Sequence, residues 1–379
     1  MFSAFSERFK NRSLTRIYLE PTSLCNLNCR TCIRNSWSEK PGEMPFETYQ
    51  VLLRGMERIP TLKKISFWGF GEPLLHPDIL EMIRSAKKLK VKTELITDGL
   101  LLSERISAGL IAAGLDSLVV SLDGTSPETQ AGIRGGANLA EIQNNIQLLN
   151  SIRKAKSKRN PEVGIEFVVM RRNLSELKNL VPMAKRMEAG LVIVTNVLPY
   201  SEELQKEILY WMSATGYSPA KSYGRNPKIL LPRIDRFPEI LPHLQKITSA
   251  VRADAYPPEW SMKSEGYCPF IGDGSLAIAS DGSVSPCIAL MHSYRCFILG
   301  RQKSIRRYVV GDVQNDDLLK VWINPEFRQF RERVRKFHFS PCTSCGGCDL
   351  SESNEGDCIG SPFPACGDCL WAKGVILCP

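Results

Sequence analysis

The sequence contains no apolar run long enough to cross a membrane, no internal repeat and no low-complexity tract. Its longest apolar run, residues 191–197, has the length of a buried strand rather than of a transmembrane helix. The first 11 residues are polar and charged and contain no apolar segment typical of a secretory signal peptide. These absences predict a cytoplasmic protein that does not bind membranes.

The composition is that of an ordinary globular protein. The 379 residues are 43% hydrophobic and 23% charged, and the length exceeds that of one typical core, so two domains are expected. The formal net charge is +9, and the densest basic run, residues 153–159, lies between a predicted helix and Pro161. A solvated loop explains this run better than a nucleic-acid surface does, so no nucleic-acid partner is expected.

Cysteine is the residue type that the sequence has in excess, with 13 in total. Complete disulfide pairing is impossible with an odd number, and disulfides are rare in a protein without a secretory signal. The cysteines therefore predict metal sites.

Cys25, Cys29 and Cys32 are spaced C-x3-C-x2-C directly after a strand-like segment, residues 16–20. Thiolates are the ligands of iron–sulfur clusters, and three of them leave one iron of a [4Fe–4S] cluster without a protein ligand. Such an iron is available for chemistry. Zinc is the alternative metal, but this loop has two Asn and no His, which is less typical of a zinc site.

The first half of the sequence alternates short β-rich runs with helical stretches, which is typical of βα units and a parallel sheet. We therefore predict an α/β fold, a (β/α)6 partial TIM barrel over residues 12–200. Functional residues of such barrels lie at the carboxyl ends of the strands. The predicted strands are residues 16–20, 64–68, 92–96, 117–121, 164–170 and 191–197.

The cysteine spacing at the end of the first strand resembles the signature of the radical S-adenosylmethionine (SAM) superfamily. The resemblance implies that the amino and carboxylate groups of SAM bind the open iron. One electron from the cluster then cleaves SAM to methionine and a 5′-deoxyadenosyl radical. Thr31 is a small departure, because the family often has an apolar or aromatic residue before the third cysteine.

Short motifs at the other predicted strand ends resemble those that contact SAM in this family. Gly71-Glu72-Pro73 is similar to the family's Gly-Gly-Glu-Pro motif, with Phe70 in place of the first Gly. Glycine permits a ligand to approach the backbone closely. The resemblance implies that SAM is bound by Gly71, Glu72, Pro73, Thr97, Ser121, Asp123, Arg171 and Asn196.

The ten later cysteines lie in residues 259–379, which we predict to be a small SPASM-like domain stabilised by metal. Residues 201–258, between the barrel and this domain, are expected to form the barrel exit and a linker. The spacing Cys268-x13-Gly282-x4-Cys287 resembles the start of the SPASM extension of radical SAM enzymes. That resemblance implies two auxiliary [4Fe–4S] clusters. The candidate ligands are Cys268, Cys287, Cys342, Cys345, Cys348, Cys358, Cys366, Cys369 and Cys378, while Cys296 is a further thiol in the same region.

Zinc is the alternative metal for this region. Cys342, Cys345, Cys366 and Cys369 match a four-cysteine zinc pattern, with 20 residues between the two pairs. That pattern leaves Cys348, Cys358 and Cys378 without a role. The spacing alone does not assign each thiol to a metal, and His292 and His338 are expected to be surface or packing residues.

The closing run, residues 366–379, resembles the end of SPASM proteins that mature tungsten-cofactor enzymes. The resemblance implies maturation of a tungsten or molybdenum oxidoreductase or its pterin cofactor. It also implies a small electron donor such as ferredoxin or flavodoxin and an oxidoreductase client. The enzyme that cyclises GTP in molybdenum-cofactor synthesis shares the first cysteine triad, but it ends in Gly-Gly.

Two alternative functions remain open. One is a peptide-modifying SPASM maturase, and the other is a non-enzymatic iron–sulfur or zinc-binding protein. The sequence identifies no substrate, general base or hydrogen donor.

Overall fold

The computed structural model describes residues 13–215, 221–250, 266–345 and 347–378. The first residue of the predicted barrel and the boundary predicted near residue 258 lie outside these ranges. The strands are β1 Arg16–Leu19, β2 Lys64–Phe67, β3 Lys92–Thr97, β4 Ser117–Ser121, β5 Glu162–Val169, β6 Ala189–Asn196, β7 Lys221–Tyr223, β8 Lys228–Leu231, β9 Ser275–Ile278, β10 Ser283–Ser285, β11 Tyr294–Ile298, β12 Arg301–Ile305 and β13 Gly311–Asp312.

Helices connect the strands of the first half in regular alternation. The α-helices are α1 Phe46–Glu57, α2 Ile79–Lys88, α3 Glu104–Ala113, α4 Pro127–Ile133, α5 Leu139–Ala155, α6 Leu177–Arg186, α7 Glu202–Gln205, α8 Leu241–Ser249, α9 Pro269–Asp273, α10 Leu318–Ile323 and α11 Pro325–Lys336. Among the described helices, none has the length and apolar character needed to cross a bilayer.

Strands β1 to β6 are parallel and neighbour one another in chain order. The prediction of a partial TIM barrel followed by a cysteine-rich domain is confirmed. Successive side chains of each strand point to opposite faces of the sheet, and one set packs under the helices as a buried core. That core includes Ile17, Leu19, Ile65, Phe67, Leu95, Leu118, Val120, Ile165, Phe167, Val192 and Val194.

The other set of side chains fills the barrel interior and is partly charged. Glu94 is buried and accepts hydrogen bonds from Arg16 at 2.8 Å, from Lys64 at 2.7 Å and from Ser66 at 3.0 Å. A buried carboxylate is tolerated when cations and hydroxyl donors surround it in this way. The network lies toward the amino-terminal end of the barrel, opposite the strand ends at which functional residues are expected.

Among the described residues, the sheet extends beyond the six predicted strands to 11 strands. Strand β8 pairs in parallel with β6, and β9 from the C-terminal half pairs in parallel with β1. Residues 201–258 were predicted to form the barrel exit and a linker, and their described part contains β7, β8 and α8. Strands of three and four residues are too short to show a hydrophobic period in the sequence.

The C-terminal tail packs against β6. The Asn196 amide donates to the carbonyl of Val375 at 2.9 Å, and the Leu377 N–H donates to the Thr195 hydroxyl at 2.9 Å. The Arg233 N–H donates to the carbonyl of Gly374 at 2.9 Å. These contacts bring the tail and its cysteines to the barrel.

Candidate functional site

The loop after β1 carries three thiols that are partly buried, those of Cys25, Cys29 and Cys32. The Leu27 N–H donates to the Cys25 sulfur at 3.5 Å, and the Cys32 N–H donates to the Cys29 carbonyl at 3.1 Å. The pKa of Cys29 is raised to about 11, mainly by burial, and the neighbouring thiols of Cys32 and Cys25 contribute to the rise. Metal binding replaces the thiol protons, so three neighbouring thiols suit a shared cluster.

Arg34 holds this loop in shape. Its Nε donates to the Cys32 sulfur at 3.4 Å, and its two terminal nitrogens donate to the carbonyls of Ser23 at 2.8 Å and Leu27 at 3.2 Å. One guanidinium therefore connects both halves of the loop and places a positive charge beside a thiol.

The turn after β2 lies directly on the thiol loop. A Cβ atom on Gly71 would lie 2.2 Å from the Thr22 carbonyl oxygen and 2.5 Å from that of Leu24, so only glycine fits there. The next residue, Glu72, donates its N–H to the Leu24 carbonyl at 2.8 Å. The turn and the loop therefore form one backbone surface.

The Glu72 carboxylate connects the ends of β2 and β3. It accepts hydrogen bonds from the Thr97 hydroxyl at 2.8 Å, the Leu74 N–H at 2.9 Å and the Asp98 N–H at 2.7 Å. Burial and the neighbouring Asp98 raise the pKa of Glu72 to about 8. Because its oxygens are already occupied, Glu72 positions the strand ends, and its side chain is not a free ligand.

Asp98 presents a buried acceptor beside the thiol loop. Its Oδ1 accepts the Leu100 N–H at 2.8 Å, whereas Oδ2 has no hydrogen-bond partner among the described residues. Burial raises the pKa of this carboxyl, and the hydrogen bond from the Leu100 N–H and the charge of Arg134 partly offset that rise. Asp98 also raises the pKa of Cys25, so the two side chains are neighbours. A buried carboxylate oxygen in this place suits a cationic group of a ligand.

A buried ion pair lies near the Cys29 thiol. Arg134 Nε is 2.9 Å from Asp123 Oδ2, and Asp123 Oδ1 accepts the Val168 N–H at 3.0 Å. Asp123 is completely buried and the Arg134 side chain is 12% exposed. Arg134 lowers the pKa of Cys29, which places the guanidinium near that thiol. A cation near the cluster loop suits a ligand carboxylate.

Sequence reasoning missed Arg134, which follows α4 in the run Ile133-Arg134-Gly135. Contacts in the folded structure show that the segment containing Arg134 packs against the thiol loop. The Arg30 N–H of the thiol loop donates to the Ile133 carbonyl at 2.9 Å, and a Cβ on Gly135 would lie 3.0 Å from the Asn28 carbonyl oxygen. The only sequence signal is an Arg followed by two glycines after a short helix.

The other residues predicted to contact SAM lie in different parts of the structure. Ser121 faces the barrel interior and donates to Glu166 at 3.3 Å, and burial raises the pKa of Glu166 to about 7. Arg171 is 49% exposed and lies 4.0 Å from Glu239, apart from the thiol loop. Asn196 uses its amide to hold the C-terminal tail. The structure therefore groups Gly71, Glu72, Pro73, Thr97 and Asp123 near the thiols and places Arg171 elsewhere.

Five of the later thiols line one cavity of about 60 Å³, those of Cys268, Cys287, Cys296, Cys366 and Cys369. Burial raises the pKa of Cys287 well above its usual value, and the thiols of Cys268, Cys369 and Cys366 raise it further. Among the described residues, no group of three or more His, Cys, Asp or Glu side chains is arranged to hold a single metal ion.

A second group of thiols lies nearer the surface, in residues 342–358. Cys345, Cys348 and Cys358 are exposed, and the Cys358 sulfur is 2.9 Å from the Ser340 hydroxyl. Burial raises the pKa of Cys342, and Cys358 is the thiol that contributes to this rise. The four cysteines of the predicted zinc pattern therefore fall into two groups, because Cys366 and Cys369 line the first cavity and Cys342 and Cys345 do not.

Two of the later thiols remain, Cys296 and Cys378. Cys296 lines the first cavity beside a buried ion pair, in which Lys303 Nζ is 2.7 Å from an Asp368 oxygen. The Cys378 sulfur accepts the indole N–H of Trp371 at 3.0 Å. The role of Cys378 as a metal ligand stays a prediction.

Residues 19–182 match the family model described as "Radical SAM superfamily", and residues 268–349 match the SPASM model described as "Iron-sulfur cluster-binding domain". A tungsten-containing aldehyde ferredoxin oxidoreductase cofactor-modifying protein of Pyrococcus furiosus is 29% identical over 96% of each chain. The PqqA peptide cyclase of Gluconobacter oxydans is 25% identical over 87% of this chain and 84% of its own. The crystal structure of Streptococcus suis SuiB bound to S-adenosylmethionine aligns with a TM-score of 0.58 at 19% identity, over 93% of this chain and 75% of that chain.

Proposed function

Because the chain belongs to the radical SAM superfamily and carries a SPASM iron–sulfur domain, we propose that it modifies the cofactor of a tungsten- or molybdenum-containing oxidoreductase. The observation that carries this proposal is the similarity to the cofactor-modifying protein over 96% of both chains. A similarity of that extent includes the barrel and most of the cysteine-rich domain. A relative that shared only the barrel would support the reaction class alone.

The residues around the thiol loop suit the cofactors of this family. Cys25, Cys29 and Cys32 would hold the [4Fe–4S] cluster, which when bound supplies the electron that cleaves SAM. The unpaired Asp98 oxygen would accept the SAM ammonium group, and Arg134 would donate to its carboxylate. Glu72 would keep the two strand ends in place through its three hydrogen bonds.

The later thiols suit two auxiliary clusters. The cavity group of Cys268, Cys287, Cys366 and Cys369 would hold one, and Cys342, Cys345, Cys348 and Cys358 would hold the other. The second group is the more exposed, so it is the better placed to receive an electron from ferredoxin or flavodoxin. The cavity group lies deeper in the protein, toward the barrel.

The function is tested by supplying the reduced, cluster-loaded protein with SAM and a client oxidoreductase isolated from cells that lack this protein. We expect 5′-deoxyadenosine to form in proportion to a mass change in the pterin cofactor released from the client. Mass spectrometry of the cofactor and of tryptic peptides gives both readouts. A mass change confined to a peptide, with the cofactor unchanged, would replace this proposal with the alternative below.

The alternative is a peptide-modifying maturase. It is favoured by the similarity to the PqqA peptide cyclase, which extends over 87% of this chain. In this case, 5′-deoxyadenosine would form with a precursor peptide and would not form with the oxidoreductase.

The role of Arg34 is testable through the cluster itself. We expect Arg34→Met to make the reduction potential of the first cluster more negative, because the variant removes a positive charge and a hydrogen bond from the Cys32 sulfur. A redox titration followed by electron paramagnetic resonance measures this change. Arg30→Met is the matched control, since Arg30 belongs to the same loop but pairs with Glu203 at the surface. An equal potential in both variants would contradict the assignment.

A further inference from the structure

A chain of two carboxylates and one imidazole, in which only Glu39 is partly exposed, connects the barrel to the C-terminal domain. His292 Nε2 lies 2.9 Å from Glu20 Oε2, and His292 Nδ1 lies 2.6 Å from Glu39 Oε2. His292 is 5% exposed and Glu20 is fully buried. Trp37 stacks on the imidazole with 4.1 Å between ring centroids. We call the set Glu20, His292 and Glu39 the His292 bridge.

The two carboxylates lie at opposite ends of the loop that carries the catalytic thiols. Glu20 precedes Cys25 by five residues, and Glu39 follows Cys32 by seven. His292 is separated from Glu20 by 272 positions and from Glu39 by 253. One side chain of the C-terminal domain therefore joins both ends of the thiol loop.

The same bridge also holds the turn after β2. The Phe70 N–H donates to Glu20 Oε1 at 2.9 Å, which is the carboxylate oxygen that His292 does not use. A Cβ on Gly69 would lie 2.3 Å from Glu20 Cγ, so the turn passes directly over this carboxylate. Two residues farther on, the turn contacts the thiol loop through Gly71. A shift of Glu20 would therefore move both surfaces.

The protonation of His292 decides whether the bridge is complete. A carboxylate accepts hydrogen bonds, so both ring nitrogens must carry protons to donate to Glu20 and Glu39. Burial by itself would lower the pKa of His292, but the hydrogen bonds and charges of these two carboxylates reverse the effect and raise it. Among the described residues, these are the ionisable groups that face the imidazole.

We propose that His292 is a positioning residue through which the C-terminal domain holds the thiol loop and the turn after β2 in the geometry that binds SAM. This role goes beyond the proposed function, because it holds whichever substrate the enzyme modifies. The C-terminal domain then contributes to the SAM site directly, in addition to carrying auxiliary clusters. Loss of the bridge weakens SAM binding without removing any ligand of the cluster.

The test is SAM affinity, measured by anaerobic titration calorimetry on the cluster-loaded protein. Glutamine offers a donor to only one of the two carboxylates, so His292→Gln is expected to weaken SAM binding on the order of tenfold, with iron content unchanged. The electron paramagnetic resonance change that SAM induces in the reduced first cluster should shrink in parallel. His338→Gln is the matched control, because His338 is an exposed histidine of the same domain.

The pH profile separates this role from a packing role. A raised pKa means that the bridge is complete at low pH and is lost as the pH rises through the pKa of His292, which lies above the usual 6.5. Wild-type affinity for SAM should fall through that range, and His292→Gln should lack the step. Equal affinity and an equal profile in wild type and His292→Gln would overturn the proposal.

A conservative variant keeps the proposal testable if His292→Gln fails to load clusters. Glu39→Gln preserves the shape but removes one charge, so the fall in affinity should move to lower pH. An unchanged profile in Glu39→Gln would overturn the proposal independently.

Discussion

Replacing Cys25, Cys29 and Cys32 together with alanine is expected to reduce 5′-deoxyadenosine formation to the background of a reaction without enzyme. These thiols are the candidate protein ligands of the cluster that cleaves SAM, and the loop that carries them is held by other residues. Arg34 and the His292 bridge remain in the variant, so the fold should persist. Iron should fall from about twelve to about eight atoms per chain, because one cube of four is lost and two remain.

Anaerobic iron and sulfide analysis, together with chromatography of the nucleoside product, measures both effects. The matched control is Cys296→Ala, which removes a buried thiol that is outside the predicted ligand set. This variant should retain about twelve iron atoms and form the nucleoside. Nucleoside formation by the triple alanine variant would refute the assignment of the first cluster. About four iron atoms plus zinc in the wild type would instead refute the auxiliary clusters.

Arg134→Met is expected to lower the free energy of unfolding by roughly 3–5 kcal/mol, because it leaves the Asp123 carboxylate buried without its cation. Asp123 is completely buried, so water does not replace the lost partner. The matched control is Arg172→Met. Arg172 pairs with Glu207 at 2.6 Å, but its side chain is 30% exposed. That partly exposed pair should contribute about 1 kcal/mol or less.

The midpoints of anaerobic denaturant unfolding measure this difference, provided that the slopes agree among variants. A second variant separates stability from binding. Asp123→Asn with Arg134→Met removes the unpaired charge and keeps an acceptor for the Val168 N–H, so much of the stability should return. SAM affinity should stay low in this double variant if Arg134 binds the SAM carboxylate. Equal unfolding midpoints for Arg134→Met and Arg172→Met would contradict the buried pair.

The barrel was predictable because its determinants are local. Strands β4 and β5 alternate with helices long enough to show a period, and β4 spans Ser117–Ser121 as predicted. Parallel strands also place their carboxyl ends together, so Thr97 and Asp123 were expected near the thiols. Arg171 follows β5 as well, yet its side chain points to the surface and Glu239. A strand end determines where a residue lies, and packing determines which way its side chain points.

The sequence by itself was sufficient to predict the first metal site, because Cys25, Cys29 and Cys32 lie within eight residues of one turn-rich segment. Local spacing was sufficient there. Only the tertiary structure decided how the later thiols divide, since Cys268 and Cys287 meet Cys366 and Cys369 across long stretches of chain. It also decided that His292 bridges Glu20 and Glu39. Burial makes such contacts specific, because a charged group removed from water must find its partner in the folded chain, however distant that partner is in sequence.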